Sequence, residues 1–315
     1  HLQMRLWDEA VQRLGPAQVR TGERVVAARE TANGAVAEIL HTDGTRSERA
    51  CDILVGADGI HSALRQQFHP DEGAPRWNGM MMWRGTTLAR PFLDGRTMVQ
   101  AGHRRAKFVV YPIEPVRPDG LQRINWICDR RLREDGFGGG LTAPSREDWS
   151  KPGSLDDLLP TFGSWRFAWL DVPGLIRAAE QILEWPMVDR DPLPRWRHGH
   201  TTLLGDAAHP MYPIGSNGAT QAILDAAALA DALDGHASIT AALNAYEAAR
   251  LPMTRDIVAM NRREGLDAIL DMVEEAAPEG FARIEDVTDP TVLAEWVQAY
   301  KKTAGHQVGR PQAAP

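Results

Sequence analysis

Long apolar runs, clusters of positive charge and cysteines are all scarce in this 315-residue chain. No run approaches the roughly 18 apolar residues that span a bilayer. The first residues also lack a signal-peptide pattern, so we predict a soluble, cytoplasmic protein without a transmembrane segment. The formal net charge is −7 with scattered lysines and arginines, which argues against a nucleic-acid partner. The two cysteines, Cys51 and Cys128, have no metal-ligand spacing, and we predict no metal site.

Several short functional motifs are missing as well. The sequence has no P-loop, nucleophile elbow or zinc signature. The nearest match to a G-x-G-x-x-G turn, Gly138–Ala143, follows a charged run and precedes Pro144. Because no strand leads into it and no helix leaves it, we predict a loop there.

The hydrophobic pattern predicts an α/β (α+β) protein. An amphipathic helix opens the chain, and strand-like segments follow at 18–29, 35–40 and 51–55. Longer strands between 79 and 130 predict an antiparallel sheet with one covered face. Near the end, Ile239–Leu251 and Arg255–Glu275 are predicted as two helices separated by Pro252.

Two segments with glycine and aspartate carry the strongest functional signal. Leu203–Asp225, LLGDAAHPMYPIGSNGATQAILD, is an apolar strand, then Gly205-Asp206, then a turn that opens a helix. Such a turn directs backbone N–H groups and the positive end of a helix dipole at a negatively charged ligand. Upstream, Asp52–Arg65, DILVGADGIHSALR, ends a short strand in Asp58-Gly59.

These segments resemble, in the same order, the DG and GD motifs of the class A (single-component) FAD-dependent aromatic hydroxylases. MMMWRGTT, WPMVDRDPLP and LLGDAAHPMYPIGSNGA are most similar to phenazine-type monooxygenases. The resemblance implies a para-hydroxybenzoate-hydroxylase-like FAD domain, lacking its first βαβ unit, with an inserted antiparallel substrate sheet. It also implies FAD as cofactor and NADH or NADPH as reductant. O₂ would hydroxylate a small aromatic or heteroaromatic substrate through a flavin C4a-hydroperoxide.

The same resemblance suggests how the chain is divided into domains. We expect a partial FAD-binding domain at 1–75, a substrate-binding β-sheet domain at 76–190, a return to the FAD-binding domain at 191–235, C-terminal helices at 236–303 and a tail at 304–315.

For the cofactor, the resemblance implies contacts from Asp58, Gly59, Arg65, Gly205, Asp206, Pro213, Gly215, Asn217, Gly218 and Ala219. Asp206 would accept hydrogen bonds from ribityl hydroxyls, or only cap its own turn. Arg65 would reach the FAD phosphates or form a structural salt bridge, with Asp58 as the candidate partner. His209 would touch the flavin or support the loop. Leu224 stands where the family favours an acid.

For the substrate, Arg84 and Tyr111 are polar residues in apolar strands, where a polar tip needs a partner. They match positions that some family members direct at a phenol or carboxylate, and a permanently charged Arg84 would favour a phenolate. The alternative places Arg84 on the solvent face and Tyr111 in the core. The residues that would line the pocket, or form ordinary core, are Trp83, Met187, Met211 and Tyr212.

Two other functions stay open at this point. One is a truncated, FAD-deficient remnant without activity, because the G-x-G-x-x-G unit is missing; this chain alone would then bind FAD weakly or not at all. The other is a related flavin oxidoreductase that does not hydroxylate. Neither oligomeric state nor the identity of the ring is indicated by the sequence.

Overall fold

The computed structural model describes residues 2–136, 141–144, 148–263 and 267–303. The predicted tail, 304–315, and the glycines of the predicted loop at 138–140 lie outside the described residues. No helix in these ranges is long and apolar enough to cross a membrane. In chain order, the helices and strands are α1 (Leu2–Leu14), β1 (Glu23–Thr31), β2 (Gly34–His41), β3 (Arg46–Cys51), β4 (Leu54–Gly56), α2 (Ala63–Phe68), β5 (Arg76–Ala89), β6 (Val99–His103), β7 (Ala106–Pro112), β8 (Gln122–Arg131), β9 (Leu141–Thr142), α3 (Leu155–Phe162), β10 (Arg166–Phe167), β11 (Leu170–Asp171), α4 (Val172–Arg177), β12 (Ile182–Asp189), β13 (Thr201–Leu203), α5 (Gly218–Gly235), α6 (Ile239–Arg262), α7 (Ala268–Ala276) and α8 (Pro290–Thr303).

The chain forms two compact units. The first unit comprises His1–Gly73, Leu193–His209 and Gln221–Leu251. The second unit comprises Ala74–Pro192, Pro210–Thr220 and Pro252–Pro315.

The first unit contains an antiparallel sheet, β1-β2-β3, and a parallel pair, β13 and β4. The turn between β2 and β3 is held by Asp43, whose Oδ1 accepts from the backbone N–H of Thr45 at 2.9 Å. Large apolar side chains fill the core, among them Leu203 and Tyr246, both with 0% exposure. Burial of such side chains supplies most of the stabilising free energy of a unit this size.

The second unit is built on a sheet with the order β12-β5-β8-β7-β6, in which β9 also pairs with β5. Its pairings are antiparallel, which confirms the predicted sheet. One face is covered by α3 and α4: the Thr87 hydroxyl donates to the carbonyl of Leu175 at 2.7 Å. The rings of Phe108 and Phe162 lie 6.3 Å apart on the same side.

The predicted helix break at Pro252 was wrong. Helix α6 runs from Ile239 to Arg262 with Pro252 inside it, and α7 is a separate helix. An internal proline removes one backbone hydrogen bond and clashes with the preceding turn, at a cost of about 3 kcal/mol. Burial on both sides of the proline offsets this cost, since Tyr246 and Ile257 both have 0% exposure.

Candidate functional site

The two turns that contain glycine and aspartate lie side by side in the first unit. Strands β4 and β13 are parallel, with Gly56 opposite Leu203. The N–H of Leu204 donates to the carbonyl of Gly56 at 2.9 Å. Parallel pairing brings the carboxyl ends of both strands to one edge, where ligands bind in open α/β sheets. The turns that carry Asp58 and Asp206 therefore leave the sheet at the same edge.

Asp58 contacts the first residue of helix α2 and is also in contact with solvent. Its Oδ2 accepts from the backbone N–H of Ala63 at 2.8 Å, and the residue is exposed. Gly59 has φ +80°, a left-handed conformation that favours glycine. One carboxylate oxygen thus shapes the turn, and the exposed carboxylate stays accessible to a ligand.

Arg65 is buried, with 1% exposure. Its Nε donates to Oε2 of Glu72 at 2.8 Å, and its Nη2 donates to the other oxygen of that carboxylate. Its Nη1 donates to the carbonyls of Ala207 at 3.1 Å and Ala208 at 2.8 Å. These contacts are structural, and the ion-pair partner is Glu72 in place of the predicted Asp58. Arg65 therefore ties α2 to the turn that follows β13.

That turn begins at Gly205, with φ +60°. A Cβ added there would lie 3.2 Å from the Cβ of Ala222, so both backbone and space favour glycine. The next residue, Asp206, is exposed, and no hydrogen bond to its carboxylate forms within the described part of the chain. Partial desolvation raises the pKa of this carboxyl, and the nearby His209 opposes the rise. The Asp206 carboxylate can therefore accept hydrogen bonds from hydroxyl groups of a ligand.

Asp225 of α5 holds this turn in place, a role that the family resemblance did not indicate. It has 0% exposure and accepts from the N–H of Gly205 at 3.0 Å. His209 Nε2 lies 2.5 Å away and Arg250 Nε donates at 2.7 Å. Burial would raise the pKa of this carboxyl, but these bonds outweigh it and lower the pKa below the usual aspartate range. His209, which also packs 5.4 Å from the Trp196 ring, supports the loop.

The signal for Asp225 lies in helical periodicity. The buried residues of α5 are Gln221, Asp225, Leu229 and Ala232, spaced as one helix face. Two polar side chains on a buried face require partners. Gln221 Oε1 accordingly accepts from Arg250 Nη2 at 2.7 Å. Leu224 is 37% exposed, and the buried acid is the residue after it.

The remaining predicted cofactor residues precede or begin α5. Pro213 is exposed, Gly215 has φ +73° and Asn217 has 0% exposure. Helix α5 begins at Gly218, with Ala219 exposed in its first turn. The first amides of a helix have no intrahelical acceptor, and the helix dipole adds partial positive charge. This segment can therefore stabilise negative charge on a ligand.

One face of the sheet in the second unit carries a cluster that we call the apolar patch. Its members are Met80, Met82, Trp185, Met187, Tyr212 and Ile214. Each is 9% exposed or less. Met187 and Tyr212 were predicted to line a pocket, and the structure brings them together here. The third predicted pocket residue, Met211, is half-buried.

Arg84 and Tyr111 lie on the same face as the apolar patch. Arg84 follows Met82 by two positions on β5, and alternate residues of a strand point to one side. Tyr111 pairs in register with Asn125 of β8. Asn125 Oδ1 accepts from Arg84 Nε at 2.6 Å. Asn125, like Arg84, is a polar residue within an apolar strand. The criterion that selected Arg84 from the sequence would therefore also have selected Asn125.

Trp83 points to the opposite face of the sheet, because neighbouring strand residues alternate sides. Its Nε1 donates to Glu184 Oε2 at 3.0 Å. The guanidinium carbon of Arg130 lies 5.2 Å from the centre of its ring. The structure therefore does not bring Trp83 together with the apolar patch.

Comparison with known proteins places this arrangement in a family. Residues 2–141 and 173–261 match the family described as FAD binding domain, and the chain belongs to it. It is 45% identical over 265 residues to phenazine 1,6-dicarboxylic acid hydroxylase PhzS of Lysobacter antibioticus, covering 83% of this chain and 64% of that protein. It is 36% identical over 257 residues to 3-amino-4-hydroxybenzoate 2-monooxygenase PtnB3 of Streptomyces platensis, covering 80% and 59%. The chain thus spans about three fifths of the length of these relatives.

Solved structures agree on the fold. The crystal structure of Klebsiella pneumoniae HpxO with FAD and uric acid superposes with a TM-score of 0.63 at 24% identity, covering 95% of this chain and 67% of that one. A salicylate hydroxylase substrate complex gives a TM-score of 0.66 at 22% identity, covering 98% and 75%. These structures confirm the predicted fold class, which is the mixed α/β fold of the FAD-dependent hydroxylases with an antiparallel sheet.

Proposed function

We propose that this protein acts as an FAD-dependent monooxygenase that uses NADH or NADPH and O₂ to hydroxylate an aromatic or heteroaromatic ring. The observation that carries the proposal is the Gly205-Asp206 turn. Asp225 holds its backbone from within the core, and the exposed Asp206 carboxylate forms no hydrogen bond with the described residues. Family membership and the names of the relatives point to the same chemistry.

The residues of this turn fit a flavin. Gly205 permits close approach of the backbone, and Asp206 accepts hydrogen bonds from ribityl hydroxyls. The first amides of α5, at Gly218 and Ala219, would stabilise an anionic ring placed at this helix end. FAD, when bound, supplies hydride acceptance and activation of O₂. The exposed Asp58 turn, at the same edge as Asp206, is proposed to contact the cofactor as well.

The substrate role falls to the sheet of the second unit. The apolar patch, whose side chains are buried, provides an apolar environment beside the substrate, and such an environment protects reactive species from water. Arg84 and Tyr111 supply polar groups on the same face, and the Arg84 charge favours the more nucleophilic phenolate form of a phenol. The two named relatives act on aromatic acids, a phenazine dicarboxylic acid and an aminohydroxybenzoate. We therefore propose an electron-rich aromatic acid as the substrate class.

Asp206→Ala is expected to raise the dissociation constant for FAD about 10- to 100-fold, because a charged acceptor for hydroxyl groups is lost. Titration followed by flavin fluorescence measures this effect. Asp234→Ala is the matched control, since Asp234 is another exposed aspartate and lies at the far end of α5. Equal dissociation constants for the two variants would remove Asp206 from the flavin site.

A further inference from the structure

Arg84 differs from Lys107, a cation on the same face of the sheet, in the groups that balance its positive charge. Lys107 Nζ lies 3.0 Å from Asp129 Oδ2 and also contacts Asp267, so two carboxylates balance it. Arg84 instead bonds the neutral amide of Asn125. Among the described residues, no carboxylate forms an ion pair with Arg84. Its positive charge is therefore available to an anion from outside the chain.

The amide of Asn125 has a fixed orientation. A guanidinium only donates hydrogen bonds, so the oxygen of Asn125 must face Arg84 and its Nδ2 must point elsewhere. Asn125 has 0% exposure, and its Nδ2 finds no partner among the described residues. A buried donor without a partner is destabilising, and a ligand that supplies an acceptor relieves this penalty.

These donors lie at the end of the apolar patch. Arg84 is flanked in register by Leu183 of β12 and Ile127 of β8. Both flanking side chains pack against the patch. The ligand that matches this surface has a flat apolar ring system with an anionic acceptor at one edge.

We propose that Arg84 and Asn125 together form an anion grip, which selects aromatic substrates that carry a carboxylate. Asn125 occupies the Nε of Arg84, which leaves the two terminal amino groups for a carboxylate in end-on geometry. Nδ2 of Asn125 supplies the further donor. This inference rests on the proposed function and deepens it by assigning the substrate class to two named side chains.

The grip is tested by binding alone, with phenazine-1-carboxylate and phenazine-1-carboxamide as probes and FAD in excess. Calorimetric titration of the wild-type protein should give about 10- to 100-fold tighter binding of the carboxylate. Asn125→Asp keeps an acceptor for Arg84 but neutralises its charge and replaces the Nδ2 donor with an oxygen. The carboxylate preference should then fall to about 1, whereas a purely structural role for Asn125 would leave the preference intact.

Asn244→Asp is the matched control. Asn244 also accepts from an arginine, Arg197 Nη1 at 3.1 Å, but lies exposed on α6. This variant should keep the wild-type preference. Circular dichroism establishes whether each variant is folded. If Asn125→Asp is not folded, the carboxylate preference of Arg84→Met is compared with that of the wild-type protein instead.

Two results would overturn the grip: equal binding of both probes by the wild-type protein, or an unchanged preference in folded Asn125→Asp. A protein that shows the preference but transfers no oxygen would contradict the proposed function and leave the grip standing.

Discussion

Asp225→Asn is expected to lower the free energy of unfolding by about 3 kcal/mol, because it removes the buried ion pair between Asp225 and Arg250. The same change weakens the bonds that hold Gly205 and His209. FAD affinity should fall with stability, since the turn that presents Asp206 loses its anchor. Urea unfolding followed by circular dichroism measures the first effect, and flavin fluorescence the second.

Asp231→Asn is the control for this prediction, because Asp231 is an exposed aspartate on the same helix. It should change the free energy of unfolding by less than about 0.5 kcal/mol. The pKa of Asp225 is lowered in the folded state. Its contribution to the free energy of unfolding is therefore complete above the unfolded pKa of about 4, and it is lost as the pH falls through the folded pKa. Equal stability of the two variants at pH 7 would show that Asp225 is not the anchor.

Arg65→Met is expected to destabilise the protein by about 3–5 kcal/mol even without FAD. The substitution removes the guanidinium that forms an ion pair with the Glu72 carboxylate, whose side chain is only 14% exposed. It also removes the donor for the carbonyls of Ala207 and Ala208. Urea unfolding of the FAD-free protein provides the measurement.

The same variant separates the two roles predicted for Arg65. A side chain that served only the FAD phosphates would leave the FAD-free stability unchanged and raise only the dissociation constant for FAD. Arg13→Met is the control, because Arg13 pairs with Glu9 on the surface, with side chains 75% and 52% exposed. Such a surface pair contributes about 0–1 kcal/mol.

Local patterns in the sequence were sufficient for much of the fold. Strand-like runs separated by turn residues predicted the antiparallel sheet of the second unit. The turns at Gly59 and Gly205 were also visible, since a left-handed backbone after a strand favours glycine. These features depend on neighbours in sequence, which a single chain displays directly.

Partners distant in sequence were not predictable in the same way. Arg65 meets the carbonyl of Ala207 across 142 positions, and Arg84 meets Asn125 across 41. A local pattern shows that a buried polar group needs a partner but not which one it will find. Pro252 illustrates the converse: packing on both sides of the residue outweighed a strong local preference against helix.

Oxygen transfer is tested most directly by isotope labelling. The protein is supplied with FAD, NADPH and phenazine-1-carboxylate under ¹⁸O₂, and the product is analysed by mass spectrometry. We expect the substrate to accelerate NADPH oxidation and the product to gain one ¹⁸O atom in a ring hydroxyl group. NADPH oxidation that yields only hydrogen peroxide, with no labelled product from this or other aromatic acids, would contradict the monooxygenase assignment.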